Sequence, residues 1–149
     1  MFKKILVAID GSKSADRALD FALDLAEKYS AELMVTTVFN SPSSSLVAQG
    51  MVFAPVSTEY YVNQFMDFHE KILLEAIKKA KKLSAKIKVS KKLLTGRPAD
   101  KIIETAKEEV IDLIVIGSRG LGGIKEFFLG SVSDRVADEA PCPVLVVKD

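Results

Sequence analysis

The sequence predicts an α/β fold, a parallel sheet with helices on both faces, and three observations lead there. Short β-branched apolar runs alternate with stretches of helical periodicity, the pattern of β-α-β units. Ile5-Leu6-Val7-Ala8-Ile9 is apolar at every position, as befits a central strand buried on both sides. Gly117-Ser118-Arg119-Gly120 begins where another such run, Leu113-Ile114-Val115-Ile116, ends, so a strand feeds a glycine-rich turn and then a helix. The 149 residues, 48% apolar and 28% charged, suffice to bury roughly two-thirds of the unfolded surface and suit one domain over residues 1–149.

In chain order, Asp10-Gly11-Ser12 ends the first strand. Ser12 or Ser14 caps a helix whose apolar positions Ala15, Ala18, Leu19, Ala22, Leu25 and Ala26 recur at helical spacing to about Tyr29. Residues 33–38 form the second strand. Residues 40–57, rich in serine and carrying Pro42 and Pro55, have no period and read as a long loop, a length associated with function or disorder. A long helix is expected over residues 59–85, with Phe65, His69, Ile72, Leu73, Ala76, Ala80 and Leu83 on its inner face. Residues 88–94 alternate charged and apolar, as a more exposed strand near a sheet edge does. After Gly96-Arg97, Pro98 opens a helix through Ile102, Ile103 and Ala106 to about Glu108, and Asp100 lies where the helix dipole favours an acid. Residues 113–116 are strand four. A helix from about Ser131 to Glu139 presents Val132, Val136 and Ala140 and is stopped by Pro141. Val144–Val147 is the last strand, and its apolar edge needs a neighbour: a second copy of the chain, a place inside the sheet, or a covering loop.

A net charge of +1 supplies no bulk attraction for nucleic acid or an anionic membrane, and neither is expected as a partner. Lys78-Lys79-Ala80-Lys81-Lys82 reads as a solvated helix face, because no aromatics are interleaved for base stacking. Cys142, the single cysteine, sits between Pro141 and Pro143 and reads as a packing residue in a reducing compartment. Lys3-Lys4 before an apolar stretch resembles a secretory leader superficially. Asp10 interrupts that stretch, a membrane span needs about 20 apolar residues, and a cytoplasmic location is the expectation. His69, the single histidine, lacks metal-ligand spacing and reads as structural.

The glycine-rich stretch points to a phosphate. A strand that turns through glycines into a helix leaves amides unpaired, and glycine lets backbone approach an anion closely. No Gly-Lys-Ser/Thr occurs, which excludes a P-loop, and the first turn lacks Gly-x-Gly-x-x-Gly. What remains is Gly117-x-x-Gly120, nine residues, then Gly130-Ser131, with Ser131, Val132 and Ser133 opening the helix. Arg119 and Lys125 are candidates for outer phosphates, and Phe127 and Phe128 for core or interface. Asp10, at the end of the first strand, faces the point where the strand order of such a sheet reverses.

These pieces together with Thr95-Gly96-Arg97-Pro98, Leu129-Gly130-Ser131-Val132-Ser133 and Cys142-Pro143-Val144-Leu145-Val146-Val147 resemble the ATP-binding members of the universal stress protein family, over nearly the whole chain. The resemblance implies a doubly wound, Rossmann-like five-stranded parallel sheet, similar to the adenine nucleotide alpha hydrolases, in the order 3-2-1-4-5. It further implies a homodimer paired through Val144–Val147, and ATP with Mg²⁺ or Mn²⁺ at the reversal point. By that likeness Asp10 goes to the ribose or, through the nucleotide, to the metal. Backbone near Ala8, Ile9, Val38 and Ile116 lies against the adenine. Gly117, Ser118, Arg119 and Gly120, with Gly130, Ser131, Val132 and Ser133, hold the phosphates.

Three functions are compatible with the sequence. The leading one is a nucleotide-dependent regulatory or stress-response module with at most slow or partner-dependent ATP hydrolysis, since no general base accompanies the phosphate cradle. The others are an ATPase or nucleotidyl-transfer enzyme on the same sheet, and a dimeric scaffold that binds no nucleotide.

Overall fold

The computed structural model describes residues 1–40, 55–120 and 130–149, with the side chains of residues 55–59 and 61 left aside. Strands β1 (Lys4–Ala8), β2 (Glu32–Phe39), β3 (Val89–Thr95), β4 (Leu113–Gly117) and β5 (Val144–Val147) are joined through helices α1 (Lys13–Tyr29), α2 (Pro55–Leu83), α3 (Pro98–Glu108) and α4 (Ser131–Glu139). All strands are parallel and lie in the order β3-β2-β1-β4-β5. Ile5 stands beside Leu33 on one side and Leu113 on the other, so β1 is central.

Alternation of side chains across the pleat divides the core in two. Ile5, Val7, Leu33, Val35 and Val115 pack under α1 and α2, whose Ala18, Ala22 and Ala80 are fully buried. Small residues there let the helices approach the sheet closely. Leu6, Met34, Ile114 and Ile116 face the other way, toward Ile102, Ile103 and Ala106 of α3 and Val136 of α4. Cys142 packs at the margin of this second cluster, and burial pushes its thiol up from the ordinary value.

Helix starts follow local chemistry. Ser12 caps α1, its hydroxyl accepting from Ala15 N at 3.1 Å, so the alternative cap, Ser14, is not the one used. Pro98 occupies the start of α3, where its missing N–H has no partner to lose. The expected loop at residues 40–57 is corrected at its end, since α2 spans Pro55–Leu83, and the helix stops at Leu83, not at residue 85. Residues 41–54 of that loop, Lys125, Phe127, Phe128 and Leu129 lie outside the described residues. The inner face of α2 is also narrower than its period suggests. Leu73, Ala76 and Ala80 are buried and Ile72 partly so, but Phe65 is 46% and Leu83 60% exposed. His69 is half-buried, edge-on to the rings of Phe39 and Phe68, with Nδ1 2.7 Å from the Phe65 carbonyl. Lys78, Lys81 and Lys82 are exposed as a solvated face, while Lys79 pairs with Asp16 and Asp20 across the α1–α2 groove. The expected edge strand is β3, and β5 forms the opposite edge. No helix among the described residues is long and apolar enough to cross a membrane.

At the amino-terminal end of the sheet, two carboxylates tie strands together. Asp112 accepts backbone N–H bonds from Lys3 (2.8 Å) and Lys4 (2.9 Å), and Glu109 is bridged by Lys4 (2.7 Å) and Lys92 (3.1 Å). These backbone donors hold the Asp112 carboxyl below its ordinary 3.8, and the two ammonium groups hold Glu109 below its ordinary 4.5. A depressed folded-state value means that the native state binds protons less readily than the unfolded chain. The stabilisation is therefore complete above the ordinary values and is lost as pH falls through the folded ones. Thermal melts taken from neutral pH down to about pH 3 are expected to show a falling Tm below about pH 4.5. Glu109→Gln should melt lower at neutral pH and fall less on acidification; parallel curves would refute the assignment.

Candidate functional site

The switch in strand order lies between β1 and β4, because the chain leaves β1 toward α1 on one face and leaves β4 toward α4 on the other. Crevices in doubly wound sheets open there, outside the carboxyl ends of the strands. Ala8 and Ile116 are register partners at those ends. Ile9 continues β1 by one bond, its N–H donating to Thr36 O at 2.9 Å, and Val38, partly buried, lies near the end of neighbouring β2.

Two turns face each other across this end. After β1, Gly11 takes φ +85°, a conformation costly for residues with a Cβ. The turn directs Asp10 inward, with Oδ1 accepting from Ser12 N at 2.9 Å. After β4, a Cβ on Gly120 would stand 2.8 Å from Asp10 Oδ2, so the carboxylate and the glycine bend are in direct apposition.

The bend is clamped on both sides. Gly117 lies so close to α1 that a Cβ would stand 2.8 Å from Ser14 C and 2.9 Å from Ala15 N, and would overlap Ser14 Oγ. Ser118 is buried; its N–H donates to Val147 O at 2.8 Å, and its carbonyl accepts from Gly130 N at 2.7 Å and Ser133 Oγ at 3.1 Å. Thus Gly130 is brought back against Ser118, and α4 starts beside the bend. Ser133 Oγ also lies 3.0 Å from Gly130 O, so this hydroxyl serves loop closure. The exposed Ser131 hydroxyl has no such engagement among the described residues. Arg119 extends outward, its guanidinium 3.8 Å from the Asp149 carboxylate.

The structure therefore brings together Asp10, Gly117–Gly120 and Gly130–Ser133, the two groups that the sequence placed on opposite sides of one crevice. Ser12 and Ser14, which the sequence assigned to capping alone, also reach the bend: Ser12 Oγ donates to Arg119 O (3.3 Å) and Arg119 N donates to Ser14 Oγ (3.3 Å).

A parallel 3-2-1-4-5 sheet with a glycine bend and a helix amino-terminus at its switch point defines a doubly wound protein of Rossmann-like type. The model of the universal stress protein family matches residues 1–148, and the chain belongs to that family. It is 40% identical over 153 residues to universal stress protein YxiE of Bacillus subtilis, covering 99% of this chain and 100% of that one. Among solved structures, the hypothetical protein MJ0577 superposes with a TM-score of 0.82 at 27% identity, over 100% of this chain and 97% of the other. A universal stress protein crystallised with cAMP superposes with a TM-score of 0.67 at 29% identity, over 99% of this chain and 97% of the other.

Proposed function

We propose that the chain binds an adenine nucleotide, ATP accompanied by Mg²⁺ or Mn²⁺, beyond the ends of β1 and β4, and works as a nucleotide-dependent regulatory or stress-response module. The observation that carries this reading is the bare start of α4. Gly130 occupies the cap position without a side chain, and the amides of Ser131, Val132 and Ser133 have no partner among the described residues. A serine or aspartate there would satisfy one of these donors and add about 1 kcal/mol to helix stability. Glycine instead leaves the donors, and the positive end of the dipole, to an outside anion.

In this reading Gly117, Ser118, Arg119, Gly120 and Gly130–Ser133 surround the phosphates, with the Ser131 hydroxyl and Arg119 guanidinium as side-chain donors. Asp10 holds the ribose, and backbone near Ala8, Ile9, Val38 and Ile116 lines the adenine. Gly120 lies so close to Asp10 that even a methyl group there would press on the carboxylate. No cluster of three His, Cys, Asp or Glu among the described residues could hold a metal ion; a divalent ion would be held chiefly by the phosphate oxygens of the nucleotide, with Asp10 as the carboxylate beside the glycine bend. The phosphate cradle itself offers amides, hydroxyls and a guanidinium, which stabilise charge but abstract no proton, and with Asp10 given to the ribose hydrolysis is slow or partner-dependent. The cAMP complex of the 29% identical relative supports the adenine-nucleotide class. The place of β5 at the edge of the sheet, with no outer neighbour among the described residues, supports pairing with a second copy.

Titration with Mg-ATP of the native chain and of Gly130→Asp tests the reading. Gly130 has φ −59°, open to any residue, and a Cβ there would meet Ser118 O first, at 3.2 Å. Aspartate is a favoured cap, so the variant should fold with an unchanged or higher Tm, yet bind ATP more than about tenfold more weakly through charge repulsion. Failure of both proteins to bind removes the proposal. An unchanged native Tm in saturating Mg-ATP would favour the scaffold, and ATP turnover abolished by Asp10→Ala would favour the enzyme. Sedimentation of the same samples reads the dimer.

A further inference from the structure

We infer that Ser12 and Ser14 are positioning residues for the phosphate loop, setting the orientation of two successive peptide groups so that the Gly120 amide is turned away from α1 as an anion donor. The inference rests on the nucleotide reading above.

The argument is one of peptide geometry. In a trans peptide the N–H and the preceding C=O point in opposite directions. Arg119 N–H is drawn to Ser14 Oγ at 3.3 Å, so the Ser118 carbonyl in the same peptide must point the other way. It does, accepting from Gly130 N at 2.7 Å and Ser133 Oγ at 3.1 Å. The peptide is pinned at both ends, by α1 on one side and the start of α4 on the other. The next peptide is held through its oxygen: Arg119 O accepts from Ser12 Oγ at 3.3 Å. The Gly120 N–H, sharing that peptide, is therefore directed away from Ser12, and it has no partner among the described residues.

The placement of both serines depends on close approach. Ser14 is only 2% exposed, and its hydroxyl occupies the volume that any Cβ at position 117 would claim. Ser12 serves three groups at once: its N–H donates to Asp10 Oδ1, its hydroxyl oxygen accepts from Ala15 N, and its hydroxyl proton goes to Arg119 O. The carboxylate at one end of the crevice and the glycine bend at the other are thus held by a single residue.

Capping and positioning can be separated. Serine to glycine at a cap lowers helix stability only slightly, so Ser12→Gly removes the grip on Arg119 while sparing α1. Ser14 is the second residue of α1, where alanine is a good helix former, so Ser14→Ala removes the acceptor without harming the helix. Ser12→Thr keeps the hydroxyl. Affinities for Mg-ATP and for adenosine, measured with the melting temperature, distinguish the roles, since adenosine lacks the phosphates that the loop would meet. Ser12→Gly and Ser14→Ala should each bind Mg-ATP about three- to tenfold more weakly, the effect of one displaced hydrogen bond, with adenosine affinity unchanged and Ser12→Thr like the native chain. Equal losses for ATP and adenosine would make the serines merely structural, and unchanged ATP affinity would refute the grip; either overturns the inference while leaving nucleotide binding intact. A native chain that binds neither ligand overturns the nucleotide reading itself and this inference with it.

Discussion

Gly117→Ala is expected to destabilise the native state by about 3 kcal/mol, at the upper end of what overpacking a close-packed site costs. The added methyl would stand 2.8 Å from Ser14 C and 2.9 Å from Ala15 N, and both are backbone atoms of a helix that cannot rotate aside. Moving α1 would loosen Ala18, Ala22 and Leu19 from the sheet, all of them 2% exposed or less. Gly117 does not have a positive φ, so the demand for glycine is steric and does not come from backbone strain. That distinction has its own test. Ser14→Gly in the same chain removes the overlap with Oγ but not the backbone collisions, so the double variant should recover only part of the loss. Denaturant unfolding reads both quantities, and the single variant should lower Tm by roughly 10 °C. A loss below about 1 kcal/mol would mean that α1 and β4 approach less closely than described.

The order of elements was legible because each signal is local. Four apolar runs, a proline at a helix start and a glycine bend after a strand state their structure within a few residues, and β1, α3, α4 and β5 fall within a residue of expectation. The error on α2 arose because periodicity reports which face of a helix is apolar, but not how far the neighbouring layer extends. At 1.5 Å per residue the 29 residues of α2 span about 43 Å. The eight residues of β2, at about 3.3 Å each, reach about 26 Å. A helix that much longer than its strand must overhang the sheet, and on the apolar stripe Leu83, its last residue, and Phe65, in its first half, are left exposed.

The candidate site divides in the same way. That Gly120, Gly130 and Asp10 come together at one end of the sheet was legible because their residue types suit tight turns after strands wherever they occur. The Ser133 hydroxyl, expected at a phosphate, closes the loop on Ser118 and Gly130, an engagement that residue type alone does not announce. Ser14 was read as a cap candidate, since serine near a helix start is ordinarily that. Its actual partner, Arg119, is 105 residues away, and only the fold reveals the contact.

The other large effect concerns the core that carries the bend. Ile114→Ala should cost about 3–4 kcal/mol, because the residue is fully buried on β4, between Leu6 of β1 and Val144 of β5, and is held from above by the α3–α4 cluster. Both neighbours are strands in register, so the sheet cannot close around the lost atoms and a cavity remains. Leu83→Ala, on an apolar position of the same α/β protein, should cost less than about 0.5 kcal/mol, since a side chain already 60% exposed gains little from the native state. Equilibrium denaturation with an unchanged m-value separates the pair. A Leu83→Ala loss comparable with that of Ile114→Ala would mean that the end of α2 is covered in solution, whereas the expected contrast leaves Ile114 of β4, three residues before Gly117, as the support on which the glycine bend is held.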